Sequence, residues 1–527
     1  MIDYDNIKPV NRVVLNSAIL YVKMGISVIV VFFSTRLVLE ALGADDFGVY
    51  NLVAGIISML SFLKSAMAGS TQRYLSYYQG KNDIEIQRKI FINSIGLHIL
   101  IGLALVLFLE IIGFFLFDID GLLKIDPDKV DDAKNIYHYM SATMFFTIAA
   151  VPFSGTLNAH ENILSIAIIE LIEVFLRLGI AVSLFFLIKN DKLVYYGLLT
   201  ASITVVSCLI YAIYCRGKYP ECKRLFSKED YDKNLMKELS SFAGWNLCGS
   251  FCSVGKTQGI AIILNHFMGT IANAAYGITN QVVGQLNYFT TTMYRAFNPQ
   301  IMKSEGANQH DKTLHLSMIG CKFGFFLLAF VAIPFIFEMP AILDIWLKEV
   351  PQHAAMFCSM VLVATMVTQM TMGLQSAIQA SGNIKALMIG NSTIKIMTLP
   401  FAFIIMKLGY PLYWVFVAYI IFEMIGNIYI LLLAHNSIGL SIGTFMKRVV
   451  LKEFIPVIVT CAVCLAIVTL FSFPFRWLIT IPIGVLTFVA TAYFAGLCPD
   501  EKNIIRDFIK SLIDKSHRKG SQVISEE

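Results

Sequence analysis

Basic side chains interrupt several apolar segments of this chain, and they are its first candidates for chemistry. Lys23 and Lys256 lie near the middle of their segments, whereas Lys64, Arg36 and Arg295 lie nearer the ends. A charge at the centre of a bilayer costs about 3 kcal/mol on insertion scales, so such residues are functional candidates by default. These five side chains predict a cationic site. The structural alternative is that each one snorkels to the membrane surface.

A row of amides accompanies the cations. Between Ser240 and Ser304 the chain has no aspartate or glutamate. Asparagines recur every seven residues in this region, which places them on one stripe of a helix. Amides exchange hydrogen bonds with sugar hydroxyls, and hydrogen bonds between helices are the structural alternative. The predicted polar face consists of Gln258, Asn273, Asn280, Gln281, Gln285 and Asn287.

Acidic side chains occupy other segments, where they are candidates for coupling to an ion. Glu170, Glu173 and Arg177 share one helix face. An ion pair between Glu173 and Arg177 would leave Glu170 free to bind H⁺ or Na⁺, and a neutralised structural cluster is the alternative. Glu423, a further candidate, is expected to pair with Lys395.

Motifs of enzymes are missing from the sequence. It contains no nucleotide-binding loop, metal-ligand cluster or nucleophile–base arrangement. We therefore predict no catalytic residue, no metal site and no cofactor, with H⁺ or Na⁺ as the candidate coupling ions.

The elements that position these residues are predicted to be membrane-spanning helices. Hydrophobic residues make up 57% of the 527 residues and charged residues only 15%, whereas soluble domains carry about 25% charged residues. Apolar runs of about 20 residues recur along the chain, each long enough to cross a bilayer. The predicted fold is an all-α polytopic membrane protein. Its fourteen predicted spans, numbered in this order, are 13–38, 47–68, 90–117, 136–158, 163–188, 193–215, 242–267, 271–295, 314–337, 355–380, 385–406, 411–434, 451–472 and 475–496.

Lysine and arginine placement predicts the orientation of the spans. Basic residues concentrate in alternate loops, most of all in 216–240, and the opposite loops are short or acidic, as in 40–46. Basic loops face the cytoplasm, so both termini are expected there. The tail 500–516 alternates apolar and basic residues and is predicted to lie as an amphipathic helix on anionic lipids.

An internal repeat organises the spans. Landmarks in the first two spans recur in spans 7 and 8 at one constant offset, and a second match relates 158–163 to 379–384. Both matches pair a span with the one six later, which predicts two parallel six-span repeats. The matched landmarks are Gly43 with Gly269, Tyr50 with Tyr276, Gly80 with Gly306 and Asn82 with Asn308. The predicted domains are an N-lobe (1–222), a C-lobe (223–446), spans 13 and 14 (447–497) and a basic tail (498–527).

This architecture resembles the MOP (multidrug/oligosaccharidyl-lipid/polysaccharide) flippase superfamily. The segments Thr35-Arg-Leu-Val-Leu-Glu-Ala-Leu-Gly43 and Phe47-Gly-Val-Tyr-Asn-Leu52 are similar to the first hairpin of its polysaccharide transporter branch, the O-antigen (Wzx-like) flippases. The resemblance implies two lobes around a central cavity lined by spans 1, 2, 7 and 8, and alternating access. The five cations would then bind the pyrophosphate of an undecaprenyl-linked oligosaccharide, and the span-8 amides would meet its sugars.

The resemblance also implies a setting. The expected activity is not enzymatic: a lipid-linked repeat unit of O-antigen or another surface polysaccharide moves from the cytoplasmic to the periplasmic leaflet of the bacterial inner membrane. The expected partners are this lipid-linked glycan, membrane lipids and other polysaccharide assembly proteins, with no nucleic acid.

Two other functions remain open. A cation-coupled drug antiporter of the MATE type belongs to the same superfamily, but such transporters place acids in the first span or in spans 7 and 8, where this chain has none. A membrane polysaccharide polymerase or ligase tends to carry its active residues on a large outer loop, whereas the longest outer loop here is about 118–134.

Overall fold

Helices account for all the regular structure in the part of the chain that the computed structural model describes. Eleven helices in that part are long and apolar enough to cross a membrane, which confirms an all-α polytopic fold. The predicted amphipathic tail lies outside the described residues, apart from its first turn. The described residues are 9–58, 60–118, 125–188, 190–224, 229–347, 349–471, 473–503 and 506.

The helices follow the apolar runs closely, because a backbone in lipid must satisfy its hydrogen bonds within its own segment. Those up to residue 218 are Pro9–Ser58, Ser61–Gly80, Ile84–Asp118, Val130–Ala149, Val151–Ala159, Ile163–Phe186 and Lys192–Lys218. Those that follow are Lys233–Gly306, His310–Phe337, Met339–Trp346, Ala354–Gln369, Met372–Ala380, Ile384–Ile396, Thr398–Lys407, Tyr413–Ile438, Ile442–Phe445, Leu451–Leu470 and Trp477–Thr491. π-Helical turns at Met446–Val450 and Ala492–Gly496 adjoin the last two long helices.

The eleven long helices agree with the fourteen predicted spans. Helix Lys233–Gly306 contains both span 7 and span 8. Span 5 is the helix Ile163–Phe186, which is strongly apolar but falls outside the eleven because it carries three charged residues. Span 2 is divided between the end of Pro9–Ser58 and the start of Ser61–Gly80. Two departures therefore concern how segments are divided and one concerns charge, and all three segments are helical in the described residues.

The repeat is visible in the backbone at Gly43 and Gly269. Gly43 has φ 81° and ψ 170°, and Gly269 has φ 77° and ψ −167°. This region of backbone space is essentially restricted to glycine. Each glycine interrupts one long helix and joins the two spans of a hairpin, so the match between these glycines reflects a shared joint.

Two further junctions repeat in the same way. Asn82 and Asn308 both have φ 57°, just after helices that end at Gly80 and Gly306. Helices end at Ala159 and Ala380 and resume at Ile163 and Ile384. The left-handed residues between them are Glu161 (φ 57°) and Gly382 (φ 93°). These correspondences confirm two parallel six-span repeats.

The described chain divides into two compact units, which we treat separately. The N-unit comprises Asn16–Phe251 and Met302–Asn308. The C-unit comprises the described parts of Met1–Leu15, Cys252–Ile301 and Gln309–Glu527. The last turn of the helix Lys233–Gly306 thus belongs to the N-unit, whereas its residues 252–301 belong to the C-unit.

Each unit has its own buried core. In the N-unit, Phe91 and Tyr137 are fully buried in separate clusters. In the C-unit, the rings of Phe357 and Phe416 are buried with their centroids 4.6 Å apart. Between membrane helices such contacts stabilise through van der Waals packing, and here they fix the helices that carry the charged residues described below.

A buried ion pair fastens span 14 to the end of span 9. Arg476 donates to both carboxylate oxygens of Glu338, at 2.7 and 3.1 Å, and the Thr480 hydroxyl donates at 2.7 Å. Burial alone would raise the pKa of Glu338, but the bonds from Arg476 and Thr480 outweigh it and hold the pKa below the ordinary 4.5. The pair therefore stabilises the fold at neutral pH, and its contribution is lost as the pH falls through the lowered value.

Replacing Arg476 with methionine should lower the free energy of unfolding by about 3–5 kcal/mol, because it leaves the Glu338 carboxylate buried without a cation. Thermal unfolding in detergent measures the effect. The control is Arg448→Met, whose pair with Asp500 is half-exposed and 3.6 Å long and should cost less than about 1 kcal/mol. Equal effects of the two substitutions would contradict the prediction.

Candidate functional site

A buried cluster in the C-unit joins two lysines to one glutamate. Lys256 on span 7 donates to Glu423 Oε1 at 2.6 Å, and Lys395 on span 11 lies 2.7 Å from Oε2. The Thr368 hydroxyl also donates to Oε2, at 2.9 Å. The Lys256 ammonium lies 4.1 Å from the centroid of the Tyr419 ring. We refer to Lys256, Lys395, Glu423, Thr368 and Tyr419 as the C-cluster.

The C-cluster carries more positive than negative charge. Its two ammonium groups face one carboxylate, and Glu423 is only 2% exposed. Lys256 and Lys395 have 8% and 18% of their side chains exposed. A buried charge without its own counter-ion is costly, so an anion that binds beside the lysines would lower the free energy of the cluster.

The N-unit contains a simpler pair. Lys23 on span 1 lies 2.8 Å from Glu170 on span 5, with side chains 13% and 23% exposed. One ammonium therefore meets one carboxylate, and the pair is neutral. The sequence-based arrangement, in which Glu173 and Arg177 pair and leave Glu170 free, is not the one in the structure: no ion pair joins Glu173 to Arg177 in the described ranges, and Arg177 is exposed.

The other predicted cations lie in different environments. Arg36 is exposed and pairs with Glu40 one helical turn away, at 3.1 Å. Lys64 is exposed near the start of the helix Ser61–Gly80, and Arg295 is half-buried. Their roles in binding a substrate stay predictions.

The predicted polar face of spans 7 and 8 has two half-buried members and four exposed members. Asn287 accepts hydrogen bonds from Gln369, at 2.9 Å, and from the Thr290 hydroxyl, at 2.9 Å, so it joins helices as the structural alternative expects. Asn273 is half-buried. The exposed members are Gln258, Asn280, Gln281 and Gln285, and these four have surface to offer a ligand.

The sequence alone did not predict two residues of the C-cluster and one of its ion pairs. It paired Lys395 with Glu423, and that pair forms, but it left Lys256 without a counter-ion. Thr368 and Tyr419 were not identified at all, since a single hydroxyl or ring in an apolar run is usually a packing residue. Only contacts between spans far apart in the chain bring these groups together.

A close helix crossing in the N-unit joins the ends of the two repeated hairpins. A Cβ atom on Gly80 would lie 2.1 Å from the carbonyl oxygen of Lys303, and one on Gly306 would lie 1.9 Å from that of Tyr77. The contact is reciprocal, because Gly306 matches Gly80 in the repeat and Lys303 matches Tyr77. We call these four residues the glycine crossing. Only glycine lets the two backbones approach so closely.

An ion pair supports the glycine crossing. Lys303 donates to the buried carboxylate of Glu161 at 2.6 Å. Glu161 lies in the turn between spans 4 and 5, and its carbonyl accepts from the Asn16 amide at 3.4 Å. Residues 302–308 are therefore held within the N-unit both by close packing and by a buried charge pair.

Comparison with known proteins decides the family. A family model described as "Polysaccharide biosynthesis protein" matches residues 11–303, more than half of the chain. The chain belongs to this family. Lys23 and Lys256 lie within the matched residues, whereas Lys395 and Glu423 lie beyond them. In this polysaccharide biosynthesis family member it is therefore the structure that connects Lys256 to its partners. No curated protein sequence matches the chain.

Solved structures of a MATE mutant and of two MOP superfamily transporters are similar in fold to this family member. A crystal structure of a MATE mutant aligns with a TM-score of 0.69 at 14% identity, covering 84% of this chain and 98% of that one. An outward-facing multidrug resistance MATE transporter of the MOP superfamily gives 0.67 at 16% identity, covering 82% and 96%. A MOP superfamily transporter from Pyrococcus furiosus gives 0.68 at 14% identity, also covering 82% and 96%. At these identities the likeness establishes the fold alone.

Proposed function

We propose that this protein is a flippase for an undecaprenyl-pyrophosphate-linked oligosaccharide, such as the repeat unit of O-antigen or another surface polysaccharide. The observation that carries the proposal is the excess positive charge of the C-cluster. Membership of the polysaccharide biosynthesis family supports a glycan substrate, and the MOP fold supports transport. The protein has no catalytic role in the proposal.

The pyrophosphate is the group that the C-cluster is proposed to bind. Glu423 balances one of Lys256 and Lys395 and leaves the equivalent of one positive charge. A charge-assisted hydrogen bond to a phosphate oxygen is about twice as strong as a neutral one. The low dielectric around buried lysines strengthens the attraction further. A phosphate anion would thus complete the charge balance that the protein leaves open.

The sugars of the substrate are proposed to meet the exposed amides of the C-unit. Gln258, Asn280, Gln281 and Gln285 are exposed, and each amide offers donors and an acceptor to hydroxyl groups. Arg36, Lys64, Arg295 and Lys23 stay candidates for further contacts with the anionic head group. The proposed setting is the bacterial inner membrane, with both termini in the cytoplasm and with membrane lipids and other polysaccharide assembly proteins as partners.

Transport is proposed to proceed by alternating access. In this proposal the glycine crossing lies on the side of the basic loops, because Lys81 follows span 2 and Lys312 follows span 8. The proposal is that these two helix ends separate and approach each other again during the transport cycle.

Reconstitution into proteoliposomes tests the proposed function. A fluorescent undecaprenyl-pyrophosphate glycan should cross the bilayer at a rate that depends on the protein. The same glycan on a neutral lipid anchor should cross much more slowly, because it lacks the anion that the C-cluster recognises. Equal rates for the two lipids, or no protein-dependent movement of either, would contradict the proposal.

A cation-coupled antiporter is the second candidate, since the shared fold includes multidrug resistance transporters. The acids that would bind a coupling cation, Glu170 and Glu423, both have lysine partners here, which favours the flippase. Cation-driven efflux of a drug from the same proteoliposomes, without movement of the glycan, would favour the antiporter.

Coupling to an ion gradient is tested at Glu170. If the Lys23–Glu170 pair opens to bind H⁺ or Na⁺, Glu170→Gln should abolish the pH or Na⁺ dependence of glycan transport. Glu85→Gln, at an exposed pair with Lys89, is the control and should preserve that dependence. An unchanged dependence in Glu170→Gln would make the pair structural. Glu173, Arg177 and Glu423 are the remaining candidates for coupling.

A further inference from the structure

A buried carboxyl group on span 13 has no place in the proposed transport site. Glu453 is 1% exposed, and neither of its side-chain oxygens has a hydrogen-bond partner in the described part of the chain. It follows the π-helical turn Met446–Val450 by three residues. Such turns occur often at functional sites. Its position inside an apolar span should have marked it as a candidate in the sequence, by the same rule that selected Lys256.

A complete ion pair lies on the segments that pack against span 13. Lys322 on span 9, also 1% exposed, donates to Glu501 Oε2 at 2.7 Å and to the Cys498 sulfur at 3.5 Å. The backbone N–H of Cys498 donates to the same carboxylate oxygen at 2.7 Å. The helix of span 9, which carries Lys322, packs directly against the helix of span 13, which carries Glu453. This pair holds the first turn of the C-terminal segment, residues 498–503, inside the C-unit.

Charge balance decides the state of Glu453. The ammonium of Lys322 already neutralises Glu501, so an ionised Glu453 would add an uncompensated negative charge in a site that excludes water. Burying a carboxylate in that way costs several kcal/mol or more. The protonated carboxyl group avoids this cost. The adjacent ammonium would repel a metal cation, so H⁺ is the cation that fits.

The other titratable groups nearby supply no compensating charge. Cys321 on span 9 and Tyr294 on span 8 are a buried thiol and a buried phenol, and the Tyr294 hydroxyl donates to the Gly320 carbonyl at 2.9 Å. On the same helix as Glu453, Lys452 donates to the Ala495 carbonyl on span 14.

Charged groups near residues 498–503 are directed elsewhere. Arg448 and His315 face Asp500, each at 3.6 Å. Lys502 donates to the Phe494 carbonyl at 2.9 Å. Lys322 is therefore the one cation that the described residues direct at a buried carboxyl group in this region.

We propose that Glu453 is a proton-binding site that controls the docking of residues 498–503. When the proton leaves Glu453 for solvent, the new carboxylate competes with Glu501 for Lys322. The ammonium keeps its three protons and moves its hydrogen bond to Glu453. Glu501 then loses its cation, and the segment that carries it detaches. The inference does not depend on the transported substrate.

Infrared spectroscopy of the full-length protein in detergent tests the bound proton. At neutral pH the wild type should show the C=O absorption of a protonated carboxylic acid, and Glu453→Gln should lack that contribution. Glu501→Gln should lack it too, because Lys322 is then free to stabilise an ionised Glu453. Glu85→Gln, at an exposed ion-paired site, is the control and should leave the absorption unchanged. An absorption that persists in Glu453→Gln would overturn the proposal.

Hydrogen exchange across residues 498–503 tests the docking. Wild type and Glu453→Gln should be equally protected at neutral pH. In alkaline buffer the wild type should exchange about tenfold or more faster than Glu453→Gln, a comparison at equal pH that cancels the intrinsic rate change. Glu501→Gln should be unprotected at every pH. Equal protection of wild type and Glu453→Gln at all pH values, or loss of protection in Glu453→Gln at neutral pH, would overturn the proposal.

Discussion

Replacing Lys395 with methionine should lower transport of a pyrophosphate-linked glycan by about ten- to a hundredfold without lowering the stability of the protein. A hydrogen bond from a buried ammonium to an anion contributes about 1.5–3 kcal/mol, which corresponds to a change of that size. The substitution leaves Lys256 and Glu423 as a neutral pair at 2.6 Å. The scaffold thus keeps its internal ion pair and loses only the excess charge.

Separate measurements distinguish recognition from folding in this experiment. Transport is measured in proteoliposomes at matched protein density, and stability by thermal unfolding in detergent. Lys256→Met should behave in the same way, because Lys395 can then neutralise Glu423 alone. Lys407→Met is the control. Lys407 is an exposed lysine at the end of the helix Thr398–Lys407, which follows the helix that carries Lys395. It should leave both measurements unchanged.

Removing the carboxylate of the C-cluster, in contrast, should lower the stability of the protein. Glu423→Gln would leave two buried ammonium groups without a carboxylate, so it should destabilise the protein by about 3–5 kcal/mol. Normal transport in both lysine variants, with the protein stably inserted, would remove the C-cluster from the proposed binding site. Loss of stability in the lysine variants would instead make the cluster structural.

The C-cluster also illustrates which part of a site a sequence can predict. Lys256 was found because a charge inside an apolar span is costly, and this argument needs only the local sequence. Its partner Glu423 lies five spans further along the chain, and no spacing rule connects the two. The pair of Lys23 and Glu170 was missed for the same reason. Helical periodicity suggested Arg177 as a neighbour of the acids, whereas tertiary packing supplied a lysine from span 1.

Fold prediction succeeded where the signal was local or repeated. Apolar runs fixed the helices, and the match of Gly43 with Gly269 identified a joint whose backbone angles only glycine adopts readily. In the sequence, the match of Gly80 with Gly306 indicates only that the hairpin is repeated. Its physical meaning, that the two glycines lie in one reciprocal contact, depends on how the helix ends meet in space.

Replacing Gly306 with alanine should lower the stability of the present state by about 1–3 kcal/mol, the usual cost of overpacking. The new methyl group would lie 1.9 Å from the Tyr77 carbonyl oxygen. That oxygen belongs to a helix backbone, so only separation of the two helices can relieve the clash. If closure of the glycine crossing is a step of transport, the variant should also transport glycan at least about tenfold more slowly, since a penalty of 1.4 kcal/mol on a required state is tenfold.

Because the contact is reciprocal, substitution of the matching glycine tests the same prediction. Gly80→Ala should have a similar effect, because its methyl group would lie 2.1 Å from the Lys303 carbonyl oxygen. Each substitution prevents the same approach, so the double variant should cost less than the two single effects added together. Gly277→Ala, in the same long helix but with open space around it, should be neutral or stabilising because alanine favours helix over glycine by about 1 kcal/mol. Additive effects of the two substitutions would mean that the glycines act separately. Unchanged transport in both single variants would show that the crossing packs helices without gating the substrate.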